Sequence, residues 1–282
     1  MKIDFISDLH VEINGPPKWL TWPDERGEIL ILAGDITCFR FFQDHRVDAE
    51  SRTQRNQLKK FLENECSTYE RIIWIPGNHE YYGYHLGCED QMQTYMRKEI
   101  DDRITIAQDS LIDLDYDTTL FAATLWTDFD KGNPLAIMDV ENCLNDYHLI
   151  NHGDINKTKI RGYHTQMLHA ETLKKLKEHV DQLSGRFKYG RSGRLIVATH
   201  HGPSMQSHDH KRFGLNDNIC YGFLSDLDRW IETTDIPVWI HGHTHFNVDY
   251  MINKTHIVSA QYGYLGSDRR PKEFLQVGQV EV

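Results

Sequence analysis

The stretch Ile3-Asp4-Phe5-Ile6-Ser7-Asp8-Leu9-His10 decides how the rest of this chain reads. A short, β-branched apolar run ends abruptly in an aspartate and a histidine two residues apart. The same pattern returns further on. Residues 29–33 lead into Gly34-Asp35, and residues 72–75 lead into Pro76-Gly77-Asn78-His79. Residues 195–198 lead into Thr199-His200-His201, and residues 238–240 into His241-Gly242-His243-Thr244-His245. Near-continuous apolar runs of this length predict central strands buried on both faces. In open α/β sheets the ligand site lies outside the carboxyl ends of the strands. Polar side chains placed there are the ones a sheet gathers from distant parts of the chain.

Between these runs lie helical patterns. The clearest covers 162–183, where Tyr163, Met167, Ala170, Leu173, Leu176, Val180 and Leu183 fall three or four apart. Residues 54–65 and 223–232 are weaker helix candidates. Strands alternating with helices predict an α/β fold with helices packed on the faces of sheets. Residues 104–125 read as a hairpin meander with Asp-rich turns, and 246–258 as antiparallel strands. Mixed sheets are therefore expected. No repeat, low-complexity tract or Pro/Gly linker marks a boundary, so 1–282 reads as a single domain. The polar, weakly patterned segment 129–161 reads as a cap or lid over the site.

Composition narrows the function classes. With 39% hydrophobic and 26% charged residues, the chain has the balance of an ordinary globular protein. No apolar run reaches the roughly 20 residues that span a bilayer, and the start does not read as a signal peptide. A net charge of -11 disfavours extended nucleic acid and anionic membrane as partners. A small anionic substrate stays open, because bound divalent cations reverse the local field. The 5 cysteines are scattered without a C-x-x-C pair, which reads as free thiols in a reducing, cytoplasmic setting.

The 17 histidines matter only where they fall at ligand spacing. In extended backbone, Asp8 and His10 point to one side, and so do His243 and His245. Each pair can then present two ligands to one ion. Asp35 follows Gly34, which permits a tight turn, and can bridge two cations with its two oxygens. Asn78 adds a neutral amide oxygen. Mixed His, carboxylate and amide donors suit Mn, Fe, Zn, Ni or Co better than Mg or Ca. Two metals about 3.5–4 Å apart can hold a hydroxide and clamp a phosphoryl group.

Asp8-Leu9-His10, Gly34-Asp35, Gly77-Asn78-His79-Glu80, His200 and Gly242-His243-Thr244-His245 together resemble the calcineurin-like metallophosphoesterase superfamily, in the family's order from residue 8 to residue 245. The resemblance implies a four-layer αββα sandwich of two mixed sheets flanked by helices. It implies two divalent ions, Mn foremost. Asp8, His10 and His245 would hold the first, Asn78, His200 and His243 the second, with Asp35 bridging. His79 would be the catalytic histidine that binds the phosphate or protonates the leaving oxygen. Glu80 stands where many members carry Asp, and Cys38 where purple acid phosphatases carry a Tyr ligand. The Thr-His-His-Gly-Pro-Ser block resembles bacterial and phage-type members.

Taken singly, Asp and Asn at such positions serve turns and helix caps. His200 is preferred to His201 because it directly follows the strand. His241 reads as structural, and Cys38 as a buried thiol. Trp126, Thr127 and Asp128 could line the pocket, Asn142, Asp146, Tyr147 and His148 could belong to the cap, and Tyr81, Tyr82 and Tyr84 could stack a base. Core packing is the competing role for all the aromatics. The expected activity is hydrolysis of a small phosphodiester, such as a cyclic or short nucleotide. A phosphomonoesterase, a phosphoprotein phosphatase, a DNA nuclease and a non-catalytic scaffold are the alternatives.

Overall fold

A computed structural model describes residues 1–153, 158–187, 193–210, 217–266 and 275–282. Each apolar run becomes a strand. In chain order these are β1 (Lys2–Ile6), β2 (Ile29–Leu32), β3 (Arg71–Trp74), β4 (Ile104–Ile106), β5 (Ser110–Asp113), β6 (Thr118–Ala123), β7 (Arg194–Thr199), β8 (Val238–Ile240), β9 (Asp249–Ile252), β10 (Thr255–Val258) and β11 (Gly278–Glu281). The two large sheets have the orders β11-β1-β2-β3-β4 and β9-β10-β8-β7-β6-β5, and Leu20–Thr21 pairs in parallel with Leu275–Gln276 in a separate two-stranded sheet. Strands β1 to β4 are mutually parallel, and β11 closes that edge antiparallel to β1. In the second sheet β6, β7, β8 and β10 are parallel, with β5 and β9 antiparallel at the edges.

Alternation along the strands sorts side chains into layers. Ile3, Phe5, Ile29, Ile31 and Ile73 from one sheet meet Leu120, Ala122, Ile196, Ala198 and Ile240 from the other. Their neighbours Leu30, Leu32, Ile72 and Trp74 face outward onto Leu58, Phe61 and Leu62 of the helix Ala49–Glu65. On the far side Phe121, Val197 and Trp239 pack against Leu176 of the helix Gly162–Phe187. The result is the expected αββα sandwich. Helix Ala49–Glu65 begins at Asp48, whose carboxylate accepts from Ser51 N at 2.8 Å, a cap that contributes about 0.5–2 kcal/mol.

Several expectations are corrected. Residues 104–125 are not one meander, because β4 joins the first sheet while β5 and β6 form a hairpin in the second. Of 223–232, only Asp228–Ile231 is α-helical, preceded by a 3₁₀ turn at Asn218–Gly222. The long helix buries a different stripe near its start. Tyr163 and Met167 are exposed, while Thr165, His169 and Thr172 are buried. Hydrogen bonds explain the shift: His169 Nδ1 lies 3.1 Å from Leu125 O, and Thr172 donates to Asp109 Oδ1 at 2.6 Å. Segment 129–161 carries short helices, Pro134–Cys143 and Asp146–Leu149 among them, and its residues 154–157 lie outside the described residues. Among the described residues, no helix is long and apolar enough to cross a membrane.

Candidate metal centre

The loops after β1, β2, β3, β7 and β8 meet at one end of the sandwich. Asp8 N donates to Gly34 O at 2.9 Å, His10 N to Asp35 O at 2.9 Å, and Gly242 N to His200 O at 3.0 Å. The backbone there is not extended, as the sequence reading supposed. Asp8, His10, Asp35, His243 and His245 have φ of 56°, 46°, 55°, 71° and 52°. Left-handed backbone costs a non-glycine residue on the order of 1–2 kcal/mol. The loops hold one another in that state. Asp8 accepts from His243 N at 3.0 and 3.1 Å, and Gln261 Oε1 accepts from His245 N at 2.6 Å. Two glycines allow the close approach: a Cβ on Gly34 would run into the His200 ring, and one on Gly77 into the Asp35 carboxylate.

The side chains converge in two groups. Asp8, His10 and His245 offer ligand atoms within 4.8 Å of one another, and so do Asp35, His200 and His243. His10 Nε2 lies 2.9 Å from His245 Nε2, which is 3.4 Å from Asp8 Oδ1. His200 Nε2 lies 3.0 Å from Asn78 Oδ1 and 3.1 Å from His243 Nδ1. Asp35 stands between the groups, with Oδ2 3.7 Å from His10 Nε2 and Oδ1 3.3 Å from His200 Nε2. His200 Nδ1 is 2.9 Å from Ala33 O and donates there, so Nε2 is the ring nitrogen turned toward the centre.

This donor set fits a pair of cations. Imidazole nitrogens facing each other at 2.9 Å need either a shared proton or a positive ion beside them. Mixed nitrogen and oxygen donors suit first-row transition ions. The protonation pattern reports the same crowding of charge. Burial opposes the imidazolium of His200, yet Asp35 and Asp8 push its pKa up to about 10. Burial also opposes the Asp35 carboxylate, but His200 and His79 hold its pKa well below the usual value. Burial and the adjacent His200 push His201 down to about 3.

His79 sits beside both groups. Its Nδ1 is 2.8 Å from Glu12 Oε1, its Nε2 3.1 Å from the Tyr264 hydroxyl, and its ring stacks on Tyr82 at 4.1 Å. Its main-chain N–H donates to Asp35 Oδ1 at 2.8 Å. Glu80 is wholly buried and ties the loops together. It accepts from Asp35 N at 2.9 Å, Ile36 N at 2.8 Å, Gly77 N at 2.7 Å and Trp74 Nε1 at 3.0 Å. Its carboxylate is thus a brace and not a ligand.

All eight residues singled out from the motifs (Asp8, His10, Asp35, Asn78, His79, His200, His243 and His245) lie together here. The surrounding candidates divide. His201 packs between His243 and Trp126, with Nδ1 3.1 Å from Thr124 O. His241 is bound to Ser207 Oγ at 2.8 Å. Cys38 is buried beside Glu12 and His79. Tyr81 and Trp126 stack on each other within the core, so neither is placed to receive a base. Asp146, read from the sequence only as part of a cap, bonds the Asn78 amide, while Glu12, Gln261 and Tyr264 were missed as partners of the site. Glu12 alone carried a signal, since it continues the alternation Asp8, His10, Glu12.

Comparison with known proteins agrees with this geometry. The model of the calcineurin-like phosphoesterase family matches residues 1–247. An uncharacterised protein of Acanthamoeba polyphaga mimivirus is 28% identical over 219 residues, which cover 73% of this chain and 73% of the relative. The crystal structure of a phosphopantetheinyl hydrolase from Mycobacterium tuberculosis is similar with a TM-score of 0.65 at 15% identity, covering 98% of this chain and 95% of that one. The last is a likeness of fold.

Proposed function

The chain belongs to the calcineurin-like phosphoesterase family, and on that footing we propose that it hydrolyses small phosphodiesters, cyclic or short nucleotides among them. It is a dinuclear metal-dependent phosphoesterase. In our reading Asp8, His10 and His245 would hold one cation and Asn78, His200 and His243 the other, with Asp35 shared between them. The observation that carries this assignment is Asp35, which turns one carboxylate oxygen toward each group.

When bound, two divalent cations, Mn(II) by our assignment, neutralise charge on the phosphoryl oxygens and make water nucleophilic near neutral pH. The chain does the rest. Ala33 O fixes the tautomer of His200. Glu12 holds His79 at Nδ1 and leaves Nε2 facing the site. There His79 gives its proton to the leaving oxygen as the P–O bond breaks.

For the substrate, the net charge of -11 offers a polyanion no long-range attraction. Two half-buried rings edge the centre: Tyr264, 4.5 Å from the His10 ring, and Phe223, 4.8 Å from the His243 ring. They suit an ester with one small organic group beside the phosphate. The free thiols Cys38, Cys66, Cys88, Cys143 and Cys220 suit a reducing compartment, and we assign the protein to the cytoplasm. The test is kcat/KM across 2′,3′- and 3′,5′-cyclic nucleotides, nucleoside monophosphates, single-stranded DNA and a phosphopeptide. Cyclic or short diesters should lead. A lead for DNA or phosphopeptide overturns the assignment, and a lead for monophosphates makes the enzyme a phosphomonoesterase.

A further inference from the structure

The ligand amide of Asn78 has two ends of similar size, and only its oxygen can bind a cation. Something must keep that end pointed at His200. Asn78 Nδ2 donates to Asp146 Oδ1 at 2.8 Å, while Asn78 Oδ1 lies 3.0 Å from His200 Nε2. A carboxylate only accepts hydrogen bonds, so it draws the NH₂ end of the amide and turns the carbonyl end inward. Asp146 is itself fixed, because Tyr82 donates to the same Oδ1 at 2.6 Å. Both Asp146 and Asn78 are buried, where a flipped amide would set its oxygen against the carboxylate with no donor between them. Tyr82 is also the ring on which His79 stacks. Asp146 belongs to the helix Asp146–Leu149, 68 residues from Asn78 along the chain and outside every motif read from the sequence.

We propose that Asp146 is a positioning residue for the second cation: it holds the Asn78 amide oxygen toward His200 and, through Tyr82, supports the His79 ring. Segment 129–161 thereby reaches the centre from behind as a brace. This inference rests on the ligand roles proposed above. Loss of such an outer partner weakens metal binding by about 10–100-fold in well-characterised sites.

Calorimetric titration of metal-free protein with Mn(II) tests it, with folding checked by circular dichroism and activity followed against Mn(II). Asp146→Asn can present its own NH₂ and permits the amide to flip. It should bind one Mn(II) as the unaltered protein does and the second about 10–100-fold more weakly, with activity returning at high Mn(II). Tyr82→Phe should shift the second ion the same way by less, and it serves in place of Asp146→Asn if that variant does not fold. Asn78→Ala should weaken the second ion, and adding Asp146→Asn to it should change nothing more. If Asn78→Ala weakens the second ion but Asp146→Asn and Tyr82→Phe leave both ions unchanged, the positioning role is wrong. The same holds if the two changes simply add. If Asn78→Ala itself leaves both ions in place, the ligand assignment fails instead.

Discussion

The two groups of proposed ligands are built on different principles. The first combines Asp8 with His10 and His245, and His10 has Glu12 behind it at 3.3 Å. In the proposed assignment it would hold a cation by charge. The second presents Asn78, His200 and His243, none of which is an anion, and it shares only Asp35. Around it lie His201, the Phe223 ring and the buried Asp146–Tyr82 pair. It would hold a cation by pre-set geometry. Charge survives small displacements, because Coulomb energy falls off slowly with distance. An amide oxygen facing the wrong way contributes nothing. The second site should therefore be the more sensitive to its supports.

Asp35 is the point where this contrast is most easily broken. Asp35→Asn removes the one anion common to both groups, so both ions should weaken and turnover should fall by at least about 10³-fold, the upper range for one preorganised electrostatic group. Metal analysis beside a phosphodiester assay reads both effects. Retention of both ions at full affinity would remove Asp35 from its bridging role.

His79→Ala should spare both groups while losing about 10²–10⁴-fold in turnover of esters with poor leaving groups. The loss should shrink for p-nitrophenolate, which needs little protonation. Release of metal from this variant would make His79 a ligand, and an equal loss for all leaving groups would deny it the proton transfer.

Glu80→Gln sharpens the contrast from beneath, since Glu80 supports loops of both groups. Each carboxylate oxygen accepts two N–H groups, so the single oxygen of an amide leaves two of the four donors facing its NH₂ without an acceptor. The expected cost is about 1–3 kcal/mol, read as a lower Tm, with a fall in metal affinity at both sites. A variant as stable as the parent would show that the four hydrogen bonds are replaceable.

Trp126→Phe should do least. Trp126 is buried between Tyr81 and His201, so the loss of its larger ring costs stability on the order of 1–2 kcal/mol and leaves KM for a cyclic nucleotide close to unchanged. A large rise in KM would return Trp126 to the substrate pocket.

How much of this was legible in the sequence follows from the same division. The ligands lie directly after apolar runs, and a strand followed by Asp or His needs no tertiary knowledge to read. The layers were legible only through the family resemblance, because runs apolar on both faces do not say which face meets the other sheet and which meets a helix. The left-handed turns at Asp8 and His10 were not, since no glycine marks them and their strain is held by hydrogen bonds that their N–H groups donate to the carbonyls of Gly34 and Asp35. Asp146 was legible only as a cap residue and not as the partner of Asn78, and Tyr264 was not legible at all. They reach the centre from helix and loop positions with no periodic signal, 68 residues from Asn78 in one case and 185 from His79 in the other. The long helix misled at Tyr163 and Met167, where polar residues with buried hydrogen-bond partners took the inward face.

The central claim is that these two groups hold two cations bridged by Asp35. Anomalous diffraction from crystals grown with Mn(II) measures this directly. The account predicts two peaks about 3.5–4 Å apart, one among Asp8, His10 and His245 and one among Asn78, His200 and His243, with Asp35 touching both. A single peak elsewhere on the chain, or no anomalous density at either group in protein that turns over phosphodiesters with all metal removed, would contradict it.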